Sequence, residues 1–395
     1  MLQRRILIAG AGIGGLTAAA CLIKAGHHVS VFEQAPQLAE VGAGIQMSAN
    51  AMHVLNHLGL GPAIARIGVR PQAYVFKLFD TGEVIQRFAL SEEHERRNGA
   101  PYYQMHRADL HDLLAAKVRE LDPSAIRLNH KVVGFRENPD GVELQLVDGK
   151  TASGDLLIGA DGLKSVVRQQ IAGNVPATYT GDAAWRVTLP AARVPPGVVD
   201  QVMSVWMGPG GHFIAYYIRG GGALLNFVGL IETEEVSEES WTAKFPWTRF
   251  KSDFAGWHPD VQTLIDAADR DECYRWSLFM RPPIANWSTP RVTLLGDAAH
   301  PTLPYLAQGA AMAIEDGVVL TRALATAGSI GDALQLYQRN RIGRTSRIVE
   351  QSSANRSLFH MRDTDEIRAH FATRDEGAER NVWLYSYNPL TVPLV

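Results

Sequence analysis

The chain has 395 residues, 46% of them hydrophobic and 20% charged, which is enough for two folding units with cores of their own. A formal net charge of −3, with Lys and Arg scattered rather than clustered, leaves no basic footprint for nucleic acid and no polybasic membrane anchor. Every apolar stretch is broken by Gly or charge before it could span a bilayer, so no integral membrane association is expected. Two cysteines, Cys21 and Cys273, are too few for a disulfide framework and fit a cytoplasmic chain in which both are small buried hydrophobes.

No cleavable leader is expected, because Arg4 and Arg5 run directly into the first strand. Ile6-Leu7-Ile8-Ala9 is a fully apolar run, the pattern of a parallel strand buried on both faces. Gly15 to Ala25, rich in Ala and Leu, predicts a helix with Gly26 as its C′ stop, and Val29 to Phe32 predicts a second strand. Asp109 is expected to cap a helix carrying Leu110, Leu113 and Leu114. Val142 to Leu146 alternates as a strand does, and Leu156-Leu157-Ile158 reads as another buried strand. Asp80-Thr81-Gly82 and Asp148-Gly149 read as hairpin turns, and Glu92 to Arg97 as a solvated face. From Thr178 to about Phe250 the texture changes to alternating aromatic-rich runs, Val202 to Trp206 and Phe213 to Tyr217, punctuated by glycine turns. That is the signature of an antiparallel sheet. The α/β texture returns at Arg291 to Leu295, followed by a long helix from about Gly309 to Ala327.

Gly10-Ala11-Gly12-Ile13-Gly14-Gly15 matches G-x-G-x-x-G in its required context, after a strand and before a helix. The first glycine permits the tight turn, Gly12 the approach of a pyrophosphate, and Gly15 close packing of helix on strand. Glu33, with Gln34 beside it, ends the next strand where a carboxylate accepts from a ribose diol, favouring FAD or NAD over NADP in this site. His53 and His57 are four residues apart, but no Cys or acid motif completes a metal site.

Downstream, Leu295-Gly296-Asp297-Ala298-Ala299-His300-Pro301 follows a strand, and Ala307 to Asp316 opens a helix. Between lies Leu157-Ile158-Gly159-Ala160-Asp161-Gly162, with Ser165 and Arg168, and upstream His106-Arg107-Ala108-Asp109-Leu110. Together these four motifs resemble the FAD-dependent aromatic hydroxylases, the salicylate hydroxylase, 3-hydroxybenzoate hydroxylase and 6-hydroxynicotinate monooxygenase group. The likeness extends to the closing Trp383 to Tyr387. It implies an α/β fold. A Rossmann-like FAD-binding domain, discontinuous over 1–72, 100–178 and 285–330, carries an inserted antiparallel substrate sheet over 73–99 and 179–284, as in p-hydroxybenzoate hydroxylase. A mostly helical region, 331–395, closes the chain.

The resemblance further implies non-covalent FAD, reduced transiently by NADH or NADPH. Reaction with O2 at flavin C4a then gives a hydroperoxide that hydroxylates a small aromatic acid, in a monomer or homodimer. The cofactor contacts it implies are Gly44 and Ile45, where Gly42 to Ile45 gives the flavin a second close approach, Arg107 at the diphosphate, Asp161 and Gly162, Gly296, and Asp297 at the ribityl hydroxyls. Gly309 and Ala310 would sit at a helix N-terminus that stabilises reduced flavin. A base or polar relay should meet the substrate oxygen. His212 is the ionisable candidate, with Tyr217 preferred over Tyr216, since the two alternate faces. Pro304 and Gln308 complete the catalytic set, and Gln46 and Tyr305 the substrate contacts. Arg186, after Trp185, is either a substrate contact or a packing contact. Gln46 and Tyr305 depart from the His expected of hydroxynicotinate enzymes. A purely NAD-dependent dehydrogenase would leave the Asp161-Gly162 and Gly296-Asp297 motifs unexplained, and a non-catalytic flavin redox sensor is the other competing class. A tryptophan halogenase lacks support because Trp-x-Trp-x-Ile-Pro is absent.

Overall fold

The computed structural model describes residues 3–38, 43–237, 243–372 and 378–395. The apolar run at the start is the strand Arg5–Ala9, central in a five-stranded parallel sheet. Its neighbours are Leu156–Gly159 on one side and His28–Phe32 on the other. Val292–Leu294 and Ile126–Arg127 form the edges. The helix Ile13–Lys24 follows the first strand, and Gly26, at φ +91°, closes it as a left-handed C′ residue. Both hairpin turns form, with Gly82 and Gly149 at positive φ. The helix Arg107–Leu121 starts two residues before Asp109. Asp109 sits in its first turn and pairs with Arg219 at 2.8 Å rather than capping it.

The second sheet has seven strands, in the order Tyr274–Met280, Thr178–Pro190, Leu224–Glu232, Gly211–Tyr217, Met203–Gly208, Ala73–Leu78 and Val84–Ala89. All its pairings are antiparallel except Met203–Gly208 with Ala73–Leu78. The early strands of the 70s and 80s thus join strands more than a hundred residues away. One face carries Trp185, Trp206, Phe213, Ala215 and Phe227, packed with Phe250, Phe254, Leu264 and Ile265 of the helices Trp247–Asp253 and Pro259–Ala267. The other face carries His212, Ile214 and Tyr216, their cross-strand partners Leu230, Val228 and Asn226, and Arg186 opposite Val228. A two-stranded ribbon, Gly44–Met47 with Tyr103–His106, sits against this second face through the Gly44 N–H, which donates to Asn226 Oδ1 at 2.8 Å.

The 30-residue helix Ile330–Phe359 spans both units. Arg341 reaches Glu315 and Asp316 of the helix Gly309–Thr326. Arg356, nearer its end, forks onto Asp182 of the seven-stranded sheet. Among the described residues no helix is long and apolar enough to cross a membrane.

Candidate active site

The glycine turn has the shape its sequence demands. Gly10 sits at φ +97°, and a Cβ there would lie 2.4 Å from the Ala160 carbonyl oxygen. A Cβ on Gly15 would lie 2.1 Å from Gly10 O, and one on Gly14 would lie 2.6 Å from Leu295 Cδ2. These three glycines are needed by the protein's own packing. Gly12 differs: nothing lies within 4 Å of where its Cβ would be, and it caps the helix Ile13–Lys24. Open space facing a helix N-terminus is what a diphosphate requires. Glu33 accepts from the N–H groups of Ala11 and Ala35, both at 2.9 Å, so its carboxylate is fixed at the lip of this cradle, with Gln34 exposed beside it. His111, which the sequence reading passed over, donates from Nε2 to Ala11 O at 2.7 Å and ties the helix Arg107–Leu121 to the turn. Arg107, half-buried, opens that helix and donates its N–H to Ala43 O at 2.8 Å.

Asp297 lies in the short helical turn Gly296–Ala298 with its side chain exposed, while both neighbours are buried. Gly296, at φ +62°, donates its N–H to Asp316 Oδ2 at 3.0 Å, and His300 Nε2 meets the same oxygen at 2.7 Å. Gly162 is at φ +73° with open space around it. The open cradle at Gly12, the exposed Asp297 and the helix N-terminus at Gly309 and Ala310 fit a flavin dinucleotide. Asp297 and Glu33 would hold its hydroxyls, and Gly12 and Arg107 its diphosphate.

Several assignments change. Asp161 is engaged by its own loop: Ser165 Oγ donates to Oδ1, and the Val166 and Val167 N–H groups donate to Oδ2 at 2.8 and 3.3 Å. It anchors the helix Val166–Ala172, and Arg168 of that helix donates to the carbonyls of Ala298 and Pro282. Gly44 does not simply clear space for a ring system. A Cβ there would meet Tyr216 Oη at 2.5 Å and Asn226 Cγ at 2.7 Å, so its bareness admits the second sheet. Ile45 follows, half-buried, and Gly42 lies outside the described residues. Gln308 is buried with both ends committed, Nε2 donating to Ser48 Oγ at 3.1 Å and Oε1 accepting from Asn50 Nδ2 at 3.0 Å. It holds the start of the helix Gly309–Thr326 against Ser48 and Asn50. Tyr305 donates its hydroxyl to Asp182 Oδ2 at 2.7 Å and is buried, so it offers the site a ring and not a hydroxyl. Pro304 is exposed, and its carbonyl accepts from the Ala307 N–H at 3.0 Å.

Tyr217 is the wrong member of its pair. It lies on the helix-covered face and donates to Val199 O at 3.0 Å. Tyr216 occupies the inner face beside Gly44 and Gln46, its phenol pushed up to about 12 by burial. Around it gather Gln46, whose Oε1 accepts from Tyr102 Oη, and the rings of Tyr74 and Tyr385. His94 joins them. Glu93 pairs outward with Arg96 at 2.7 Å, but His94 is 4% exposed, with ring contacts to Tyr102 at 5.3 Å and Tyr385 at 5.2 Å. Burial lowers its imidazole to about 4. The solvated-face reading of this segment missed it because one inward residue in a seven-residue helix leaves no periodic signal. His53 is used structurally, its Nε2 3.0 Å from Asn98 O.

Arg186 is enclosed by protein yet keeps accessible surface, the mark of a side chain lining a cavity. Its guanidinium lies over the Trp276 ring at 4.5 Å, and burial lowers it to about 10, so it stays charged. Ile214, Val228 and Tyr74 on the same face also keep surface. Among the described buried polar atoms of this face, Asn226 Nδ2 and His212 Nε2 have no hydrogen-bond partner.

Comparison with known proteins decides the family. A model described as FAD binding domain matches residues 3–352. The 3-amino-4-hydroxybenzoate 2-monooxygenase PtmB3 of Streptomyces platensis is 36% identical over 98% of this chain and 97% of its own. The chain belongs to the FAD-dependent aromatic hydroxylases. The 3-hydroxybenzoate 6-hydroxylase of Polaromonas naphthalenivorans is likewise 36% identical, over 97% of this chain and 96% of that one. Among solved structures, Klebsiella pneumoniae HpxO complexed with FAD and uric acid superposes with a TM-score of 0.84 at 27% identity, covering 98% of this chain and 96% of HpxO. This aromatic hydroxylase is therefore a flavoprotein monooxygenase that binds FAD.

Proposed function

We propose that this flavoenzyme uses NADH or NADPH and O2 to hydroxylate a small aromatic acid bearing a phenolic or hydroxypyridine oxygen. Bound FAD supplies the reducing equivalents and activated oxygen; the chain's own residues bind the ring, exclude water and manage the substrate proton. In this reading residues 1–72, 100–178 and 285–330 hold FAD, without a covalent link, and 73–99 with 179–284 cover the substrate. Residues 331–395 brace the two. Both thiols are buried and their ionisation is suppressed, Cys21 to about 12 and Cys273 to about 11, which supports the non-covalent assignment.

One observation carries the substrate class. A single sheet face holds an enclosed cation, Arg186, together with two unpartnered buried polar atoms, Asn226 Nδ2 and His212 Nε2, among aromatic rings. A buried donor or base without a partner costs about 1–3 kcal/mol, a cost a ligand's oxygens would offset. Arg186 suits a carboxylate, the aromatic rings suit a flat apolar ring, and His212 suits the oxygen whose proton must leave before ring attack. Tyr216, Gln46 and Pro304 would orient the ring.

The test is coupling. In His212→Ala, FAD stays bound and NADH still reduces it, while ring attack slows by ~10²–10⁴, so hydroxylated product per NADH falls sharply and H2O2 rises in its place. An unchanged ratio at normal turnover would remove His212 from the catalytic set.

A further inference from the structure

His212 does not stand alone. Its Nδ1 lies 3.1 Å from Nε2 of His360, the residue that ends the long helix Ile330–Phe359. On the far side of that second ring, Nδ1 of His360 lies 3.6 Å from Glu232 Oε1 and 3.7 Å from Asp182 Oδ1, within ion-pair range but longer than a hydrogen bond, so the ring must close on Glu232 before a proton can pass. His212, His360 and Asp182 are buried, while the Glu232 side chain is 31% exposed. The row therefore runs from the inner sheet face to the protein surface. Rings wall it off: Tyr305 lies 5.4 Å and Phe359 5.0 Å from His212.

The carboxylates fix the direction of every hydrogen in this row. Facing Glu232 and Asp182, Nδ1 of His360 must carry its proton, because a bare imidazole lone pair against two carboxylates is repulsive. A neutral ring protonated at Nδ1 has a bare Nε2, which is an acceptor. His212 must then donate from Nδ1, and its own Nε2 is left bare. That is the unpartnered buried nitrogen, on the sheet face that His212 shares with Ile214, one step or about 7 Å along the strand. Both rings are held neutral. Burial lowers His212, with His360 adding to it, and burial lowers His360 against the opposing pull of Asp182.

We infer that His360 and Glu232 form a proton relay that sets His212 in its basic tautomer and carries the substrate's phenolic proton to solvent. The inference rests on His212 being the base. The proton passes from the substrate oxygen to His212 Nε2, and the O–H electron pair stays on the substrate. In the same shift the Nδ1 proton of His212 moves to His360 Nε2, and that of His360 moves to a Glu232 oxygen. Glu232 then releases it to water. Loss of the Nε2 proton and reprotonation at Nδ1, by exchange with solvent, restore the starting tautomer of each ring. Of the two carboxylates, Glu232 is the terminal acceptor. Asp182 already takes the Arg356 fork and the Tyr305 hydroxyl, whereas Glu232 faces Arg362 at the surface and has Arg356 at 3.6 Å. These groups, with the two histidines, are the charged and titratable ones in contact with the row.

Two measurements on the FAD-bound enzyme test this. The first is histidine ¹⁵N NMR of the wild type without substrate. It should show Nδ1-protonated neutral rings for both His212 and His360; an Nε2-protonated His212 overturns the relay whatever the activity. The second is ionisation of a bound phenolic acid, read as the rate at which its phenolate absorbance appears after a pH jump with the flavin oxidised. Glu232→Gln should slow phenolate formation about tenfold, and His360→Phe should bring it near the level of His212→Ala, within the ~10²–10⁴ range of general base catalysis. If His212→Ala suppresses phenolate formation but neither His360→Phe nor Glu232→Gln does, the relay is wrong and His212 acts alone. If His212→Ala leaves it unchanged, the base reading itself fails. Should His360→Phe not fold, Glu232→Gln and the tautomer measurement still decide.

Discussion

Two buried polar clusters lie on either side of the active site, and they are built on opposite rules. Behind the flavin-side helix Gly309–Thr326, Glu315 and Asp316 are fully buried, and every carboxylate oxygen is met. Arg341 reaches both at 2.7 and 2.6 Å, and Arg344 reaches Glu315 at 2.7 Å. Asn50 donates to Glu315, and the Gly296 N–H to Asp316. On the inner face of the seven-stranded sheet, by contrast, Asn226 Nδ2 and His212 Nε2 are left without partners. The first cluster meets all of its carboxylate oxygens from within the protein and serves to hold the Gly296-Asp297 turn and the helix start in place. The second is incomplete, and groups left unsatisfied in a native interior point to a ligand. Burial of polar groups alone does not mark a reactive site; unmet polar atoms gathered with a cation and aromatic rings on one sheet face single this one out.

Breaking the complete cluster should cost most in stability. Arg341→Met removes the shared cation between two buried carboxylates and should lower unfolding stability by about 3–5 kcal/mol, measured by urea denaturation of the FAD-bound protein. A loss under 1 kcal/mol would show that the two acids are not charged together. Acid should find the same contrast from the other side. Asp316, for which burial is outweighed by His300 and Arg341, is held down to about 2, so its contribution is complete above about pH 4 and is lost as pH falls from about 4 to 2. His94 is lowered to about 4, so its neutral form stabilises the fold fully above about 6.5 and that contribution drains away as pH falls from about 6.5 to 4, by roughly 3 kcal/mol. His94→Gln should flatten the stability curve in that window, and an unchanged slope would assign it to other histidines.

The cofactor cradle offers a sharper division. Asp297→Ala should weaken FAD binding by about 1.5–3 kcal/mol, ten- to a hundredfold or more in Kd, with little change in apoprotein stability, since its side chain is exposed. Gly15→Ala, with its Cβ 2.1 Å from Gly10 O, should destabilise the apoprotein itself by about 1–3 kcal/mol, whereas Gly12→Ala should leave apoprotein melting untouched and reduce FAD affinity. Equal melting losses for both glycines would erase the distinction between packing and ligand glycines. The smallest effect belongs to the sheet's outer face. Tyr217→Phe should cost about 1 kcal/mol through the lost bond to Val199 O and leave kcat and coupling at wild-type values, while Tyr216→Phe should raise the substrate KM.

Sequence by itself determined the parallel sheet, the glycine turn, Glu33 at the end of the second strand and Asp297 just after the strand at 292–294, because each is set by a short stretch of chain. A buried strand, a tight turn and a helix start follow from neighbours a few residues apart, and the order of such motifs names the family. Tertiary structure decided what the side chains meet. Which of Tyr216 and Tyr217 faces the cavity depends on which sheet face the helices at 247–267 cover, and alternation alone leaves that binary choice open. Gln308, Tyr305 and Asp161 looked free in the sequence and proved committed to Ser48, Asp182 and the Ser165 turn, partners 260, 123 and 4 residues away. His360 stands 148 residues from His212, beyond any local pattern. Hydrogen-bond partnership is a long-range property of the folded chain, so a sequence can nominate a base but only the packed structure can say where its proton lies.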